Sequence, residues 1–167
     1  MKLPVNTESG FSLIEVTVAA AIFSMGLGGL SLLLLTAVMG TAEAGHQTVA
    51  STKAGSLAEM IALNSGASGH YVNPLPPDNS SVCIDEVVCS GEQLAVAELE
   101  AWQQELADEL PRGNGLVCRD STPDDGHAAD AACDGAGGLV VKVFWLEPRH
   151  LDKEDGGLRR LVARLPL

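Results

Sequence analysis

The sequence predicts an α+β protein: a long N-terminal helix packed on a small antiparallel-sheet head that carries a second helix. Three observations lead there. Residues 11–39 form an apolar run with a single charge, Glu15. Residues 90–110 carry an amphipathic helical stripe. Two β-rich stretches, residues 138–146 and 158–165, follow them, and helices followed by antiparallel strands are the pattern of an α+β head.

The apolar run comes first. As a helix, residues 11–39 would extend about 43 Å at a rise of about 1.5 Å per residue, enough to cross a hydrocarbon layer of about 30 Å. A secretory signal would have a shorter apolar core and a cleavage site after it. Here a short, mostly polar stretch, residues 1–10, ends in Gly10 and the apolar run begins at once. Glu15 lies near the start of that run. A carboxylate inside a membrane segment is costly and is usually kept for a specific partner. Gly26, Gly28 and Gly29 interrupt the run. They suit either close helix packing or a segment that bends when its surroundings change.

Past Met39 the pattern is mixed. Val49, Lys53, Leu57, Met60 and Ile61 fall near helical spacing, so residues 40–64 read as an amphipathic continuation of the same helix. Gly66, Gly69 and the proline-rich residues 73–78 are expected to end it.

The head occupies residues 65–167. Its second helix opens with Ser90 and Gln93, an S-x-x-Q capping box. Ala95, Leu99, Trp102, Leu106 and Leu110 share one face, and Pro111 stops the helix. Trp102 reads as a core anchor. Residues 115–119 make a short strand. In residues 138–146, Val141, Val143 and Trp145 point to one side. In residues 158–165, Leu161, Ala163 and Leu165 alternate with Arg160, Val162 and Arg164. The charged linker at 147–157 suits a long-looped hairpin.

Four cysteines, Cys83, Cys89, Cys118 and Cys133, all lie beyond the apolar run. There is no Cys-x-x-Cys pair, and His46, His70, His127 and His150 sit at no metal-ligand spacing. Disulfides in an oxidising compartment fit better. Of the three possible pairings, Cys83–Cys89 with Cys118–Cys133 closes local loops.

The formal net charge is −12, and 14 acidic residues against two basic ones lie between Asp78 and Asp134. That balance argues against nucleic acid as a partner. A solvated acidic face is the simplest reading. Asp120 to Asp134 holds five acids, which raises calcium as an alternative, but the order lacks EF-hand spacing. No nucleophile elbow, phosphate-binding glycine loop or metal triad appears, so neither an enzyme nor a cofactor is expected.

The residues Gly10-Phe11-Ser12-Leu13-Ile14-Glu15-Val16 resemble the class III signal of type IV prepilins: a short leader ending in Gly, an aromatic first mature residue, and Glu at the fifth place. The resemblance implies a pilin fold. It also implies cleavage between Gly10 and Phe11 by a prepilin peptidase, which then methylates the Phe11 amine. Glu15 would answer that amine on a neighbouring subunit and set register in a bundle of apolar helices. The chain would sit in the inner membrane with its N-terminus cytoplasmic and its head periplasmic before entering a filament. Lys2, the one basic residue ahead of the span, agrees with that orientation.

Residues 112–126, Cys133-Asp-Gly135 and Val141-Lys-Val-Phe-Trp145 also resemble minor pilins of the PilV group of Gram-negative bacteria. That implies a low-abundance subunit that helps prime pilus assembly. Its partners would be other minor pilins and the major pilin, and adhesion and twitching motility would depend on it. A minor pseudopilin of a type II secretion system shares the same N-terminal features.

Overall fold

The computed structural model describes residues 10, 12–72, 89–148 and 156–165. The element order is α1 (Leu13–Leu63), a 3-10 helix (Ser65–Tyr71), α2 (Gly91–Glu109), β1 (Asn114–Asp120), β2 (Gly138–Leu146) and β3 (Leu158–Arg164). The chain divides into two units, Met1–Ala42 and Glu43–Leu167.

In the first unit the described residues are almost entirely helix. The Ser12 carbonyl accepts the first bonds of α1, from Glu15 N at 3.0 Å and Val16 N at 3.2 Å. Leu13, Phe23 and Met25 are among many large apolar side chains left exposed. The hydroxyls of this stretch bond back to the helix itself: Thr17 to Ile14 O, Ser24 to Ala20 O, Ser31 to Leu27 O, Thr36 to Leu32 O and Leu33 O, and Thr41 to Val38 O. Such back-bonding satisfies a hydroxyl without water. By length and composition this helix can cross a membrane.

The second unit holds an α+β head of the layout that the prepilin resemblance implies. Its core is shared by α1, the 3-10 helix, α2 and the sheet. Ala50, Ala54, Leu57 and Ile61 come from the C-terminal part of α1. Ala95, Leu99, Trp102 and Leu106 come from α2, and Val117, Val141, Val143 and Trp145 from the sheet. Burying each large apolar side chain contributes about 1.5–3 kcal/mol. The buried line on α1 runs through Ala50 and Ala54, while Val49 and Met60 are only partly buried. Lys53 lies at the flank of this line, and its Nζ bridges Glu105 at 2.8 Å and Glu109 at 2.7 Å on α2. Those two carboxylates raise the Lys53 pKa. Trp102 Nε1 donates to Lys53 O at 2.9 Å, so the indole fills the core with its polar edge satisfied.

The long helix ends where expected, just ahead of Gly66 and Gly69. α1 stops at Leu63, and the chain tightens into the 3-10 helix across both glycines. Ala67, where the backbone kinks out of helical geometry between the two glycines, and Tyr71 are both buried. Asn64 Nδ2 bonds Gly91 O at 2.6 Å and Tyr71 Oη at 3.3 Å, which ties this turn to the start of α2. At that start Ser90 and Gln93 form both bonds of a capping box.

The sheet is antiparallel with strand order β1-β2-β3. One face joins the core. The other carries Cys118 and Asp120 from β1, Val140, Lys142 and Phe144 from β2, and Arg160, Val162 and Arg164 from β3. The segment between β1 and β2 lies against this second face.

Candidate functional site

Two places in the chain carry chemistry beyond packing, and each is described within its own unit. The first is the N-terminal end of α1. Gly10 is exposed, and Phe11 lies outside the described residues. Glu15 occupies the first turn of α1 and is exposed. A carboxylate here is favoured by the helix dipole. The Glu15 side chain borders a shallow groove with Val16, Ala19, Ala20 and Phe23, about 580 Å³ in volume. Ala19 and Ala20 leave room in that flank, while Phe23 and Val16 keep it apolar. Among the described residues, Glu15 has no ion-pair partner within the chain. The arrangement is a single carboxylate at the edge of an apolar groove, able to accept one cation and one apolar group from another helix.

The second place is the segment between β1 and β2. Cys118 and Cys133 are joined in a disulfide with 6.2 Å between Cα atoms, closing a separation of 15 residues. Cys89 is also disulfide-bonded, and Cys83 lies outside the described residues. Inside the closed loop, Lys142 Nζ lies 2.5 Å from Asp120 Oδ2, with both side chains shut off from solvent. The same ammonium donates to Ala131 O at 2.7 Å and Asp125 O at 3.3 Å, and lies 3.4 Å from Asp125 Oδ1. The Lys142 hydrogen bond lowers the Asp120 pKa. Sequence reasoning missed Lys142. The available signal was a lone lysine in an otherwise apolar strand, GLVVKVFWL.

The acids of the loop are each engaged. Asp124 pairs with Arg164 at 2.9 Å, and Asp125 accepts from Thr122 Oγ1 at 2.9 Å. Asp130 Oδ1 accepts from Ala132 N at 3.0 Å. Asp134 binds the Ser121 hydroxyl and amide together with Ala136 N, and these bonds lower its pKa. Donor atoms of Cys118, Asp120 and Cys133 fall within 4.8 Å of one another. Both sulfurs are consumed by the disulfide and Asp120 by Lys142, so this trio does not offer a cation site. The loop is built to stay folded on the sheet.

The comparison with protein families bears on the first place. Residues 5–31 match the family model "Prokaryotic N-terminal methylation motif". The match spans Gly10, Phe11 and Glu15, and its C-terminal end falls within the apolar helix. The methylation motif supports a type IV pilin-like protein of a pilus or a pseudopilus. It implies processing by a prepilin peptidase and assembly with other pilins. With the membrane-length helix it fits an inner-membrane-anchored pilin. No curated protein and no solved structure matches the chain.

Proposed function

We propose that the chain is a minor pilin of a type IV pilus, of the PilV group, that helps prime assembly and enters the pilus or its tip complex. The observation that carries this reading is the methylation motif set at the start of an exposed, membrane-length helix with Glu15 in its first turn. Cleavage after Gly10 would free a cationic amine at Phe11, which the peptidase would methylate. In a bundle of apolar helices, that amine and the Glu15 carboxylate of a neighbouring subunit would pair. A buried charge is tolerable when paired and costly when left alone. The head, carrying the 118–133 disulfide, would lie in the periplasm of a Gram-negative cell before assembly. The role is structural, and adhesion and twitching motility would follow from it indirectly. The PilV reading draws on the residues around Cys118 and on Val141–Trp145.

The test is the quantity of surface pili sheared from cells lacking this gene, in a background unable to retract pili. A sharp loss, restored by the intact gene, is expected. Normal piliation, with a loss of secreted enzymes in the same strain, would instead assign the chain to a type II secretion pseudopilus.

A further inference from the structure

The sheet has two edges, and they are finished differently. On β1, Gly115 O accepts from Gln103 Nε2 at 2.9 Å and Arg119 O accepts from Gly135 N at 3.0 Å. On β3 the register decides which groups face outward. Leu165 N donates to Leu139 O at 3.0 Å, and Glu147 N donates to Gly157 O at 2.7 Å. With the pairing Leu161 to Val143 between them, the odd-numbered residues of β3 exchange bonds with β2. In an antiparallel ladder the alternate residues turn both backbone groups away. These are Leu158, Arg160, Val162 and Arg164. Among the described residues, no strand pairs with them. The strand contains no proline or glycine that would blunt this edge.

Charge decides what can lie there. β3 carries three arginines and no acid, in a chain of net charge −12. Arg159 pairs with Glu43 at 3.5 Å, and Arg164 with Asp124 at 2.9 Å. Arg160 differs: its guanidinium is held by two backbone carbonyls, Gly126 O at 2.7 Å and Asp124 O. It is therefore a cation fixed in place by neutral acceptors. It borders a cleft of about 500 Å³ that Phe144, Leu158 and His127 also line. A second copy of β3 is a poor occupant. Antiparallel self-pairing centred on Val162 would set Arg160 against Arg164 at both ends, and like charges directly opposite are destabilising.

We propose that the outer edge of β3 accepts an extended, acidic strand from a different subunit of the same filament. Its main chain would pair with Arg160, Val162 and Arg164, and one carboxylate would lie on Arg160. Strand addition of this kind draws affinity from main-chain bonds and specificity from alternate side chains. The proposal rests on the pilin reading above.

The test uses full-length variants expressed in cells. Val162→Pro deletes an outward N–H that the sheet does not use, whereas Val162→Thr keeps it. Arg160→Glu reverses the fixed charge at an exposed position. Val162→Pro and Arg160→Glu should each reduce the subunit recovered in sheared filaments on the order of tenfold, with Val162→Thr near the parent. A photo-crosslinking residue at position 162 should capture another pilin-like subunit. Should Val162→Pro lose the 118–133 disulfide and so fail to fold, Arg160→Glu carries the test. Parental incorporation of Arg160→Glu and of a folded Val162→Pro would overturn the edge proposal. Were the gene deletion to abolish pili at the same time, the pilus reading would survive it. Normal pili in the deletion strain, with a crosslink to a secretion-system pseudopilin, would overturn the pilus reading and support the edge.

Discussion

Lys142 Nζ and Asp120 Oδ2 meet at 2.5 Å on the sheet face covered by the disulfide-closed loop, and neither side chain reaches solvent. Breaking a buried pair leaves one charge uncompensated, whereas replacing both partners with apolar groups of similar size is often tolerated. Lys142→Met should therefore lower the melting temperature far more than Arg164→Ala, whose ion pair is exposed. The double variant Lys142→Met/Asp120→Leu should recover part of that loss. Equal melting of Lys142→Met and Arg164→Ala would remove the pair from any role in holding the loop. The pH dependence has a defined sign. Asp120 titrates below the ordinary carboxylate range because of Lys142. Its contribution is present above the unfolded value of about 3.9 and is lost as pH falls through the lower folded value. Asp120→Asn should lack that acid-side loss.

Tyr71 offers a second titration, read at a single group because it is the only tyrosine of the chain. Burial first, and then the hydrogen bond to Glu98, push its phenol up to about 12. The neutral phenol is the form the fold favours. Its contribution to stability is present below an unfolded value of about 10 and is lost as pH rises toward about 12. Phenolate absorbance should rise only near that upper value. In Glu98→Gln it should rise earlier, yet still above the value of free tyrosine, because burial remains. Titration of the parent at the free value would mean that the turn over residues 65–71 does not enclose this ring.

Gly115 lies directly beneath Trp102. A Cβ built there would stand 2.3 Å from Trp102 Cη2 and 2.5 Å from Leu106 Cδ1. Gly115→Ala should cost about 1–3 kcal/mol through overpacking, measured by denaturant unfolding. Trp102→Leu should relieve most of that increment when the two are combined. Simple additivity of the two substitutions would show that the ring moves aside freely.

Glu15→Ala tests the N-terminal site in cells. The variant should be cleaved and should reach the membrane like the parent, since the carboxylate lies beyond the cut. Its recovery in sheared filaments should fall sharply. Undiminished incorporation would remove the charge-pairing role.

The α2 helix was legible because its signals are local: Ser90 and Gln93 cap it, and five apolar residues at helical spacing fix its buried face. The stripe on the C-terminal part of α1 was harder to read. Its fully buried residues include Ala50 and Ala54, and alanine is a weak hydrophobic signal, whereas Val49 is only partly buried. The loop after β1 was least legible. Its acids read as a wet surface, but Asp120 answers a lysine buried two strand positions from Val140. That pairing depends on the register between β1 and β2, which no local pattern announces. At the N-terminus the situation is reversed. Gly10 and Glu15 announce themselves in seven residues, while among the described residues Glu15 has no ion-pair partner.

The hydroxyls of the N-terminal half of α1 have a thermodynamic corollary. From Thr17 to Thr41 each one already bonds a carbonyl of its own helix. Moving such a helix from lipid into a bundle of like helices is then a transfer between two oils in which no hydroxyl must change its bond. Of the ionisable side chains on that surface, Glu15 alone would sense which oil it is in, so on the pilin reading the energetic distinction between a stored subunit and an assembled one would fall on its carboxylate and the amine it pairs with.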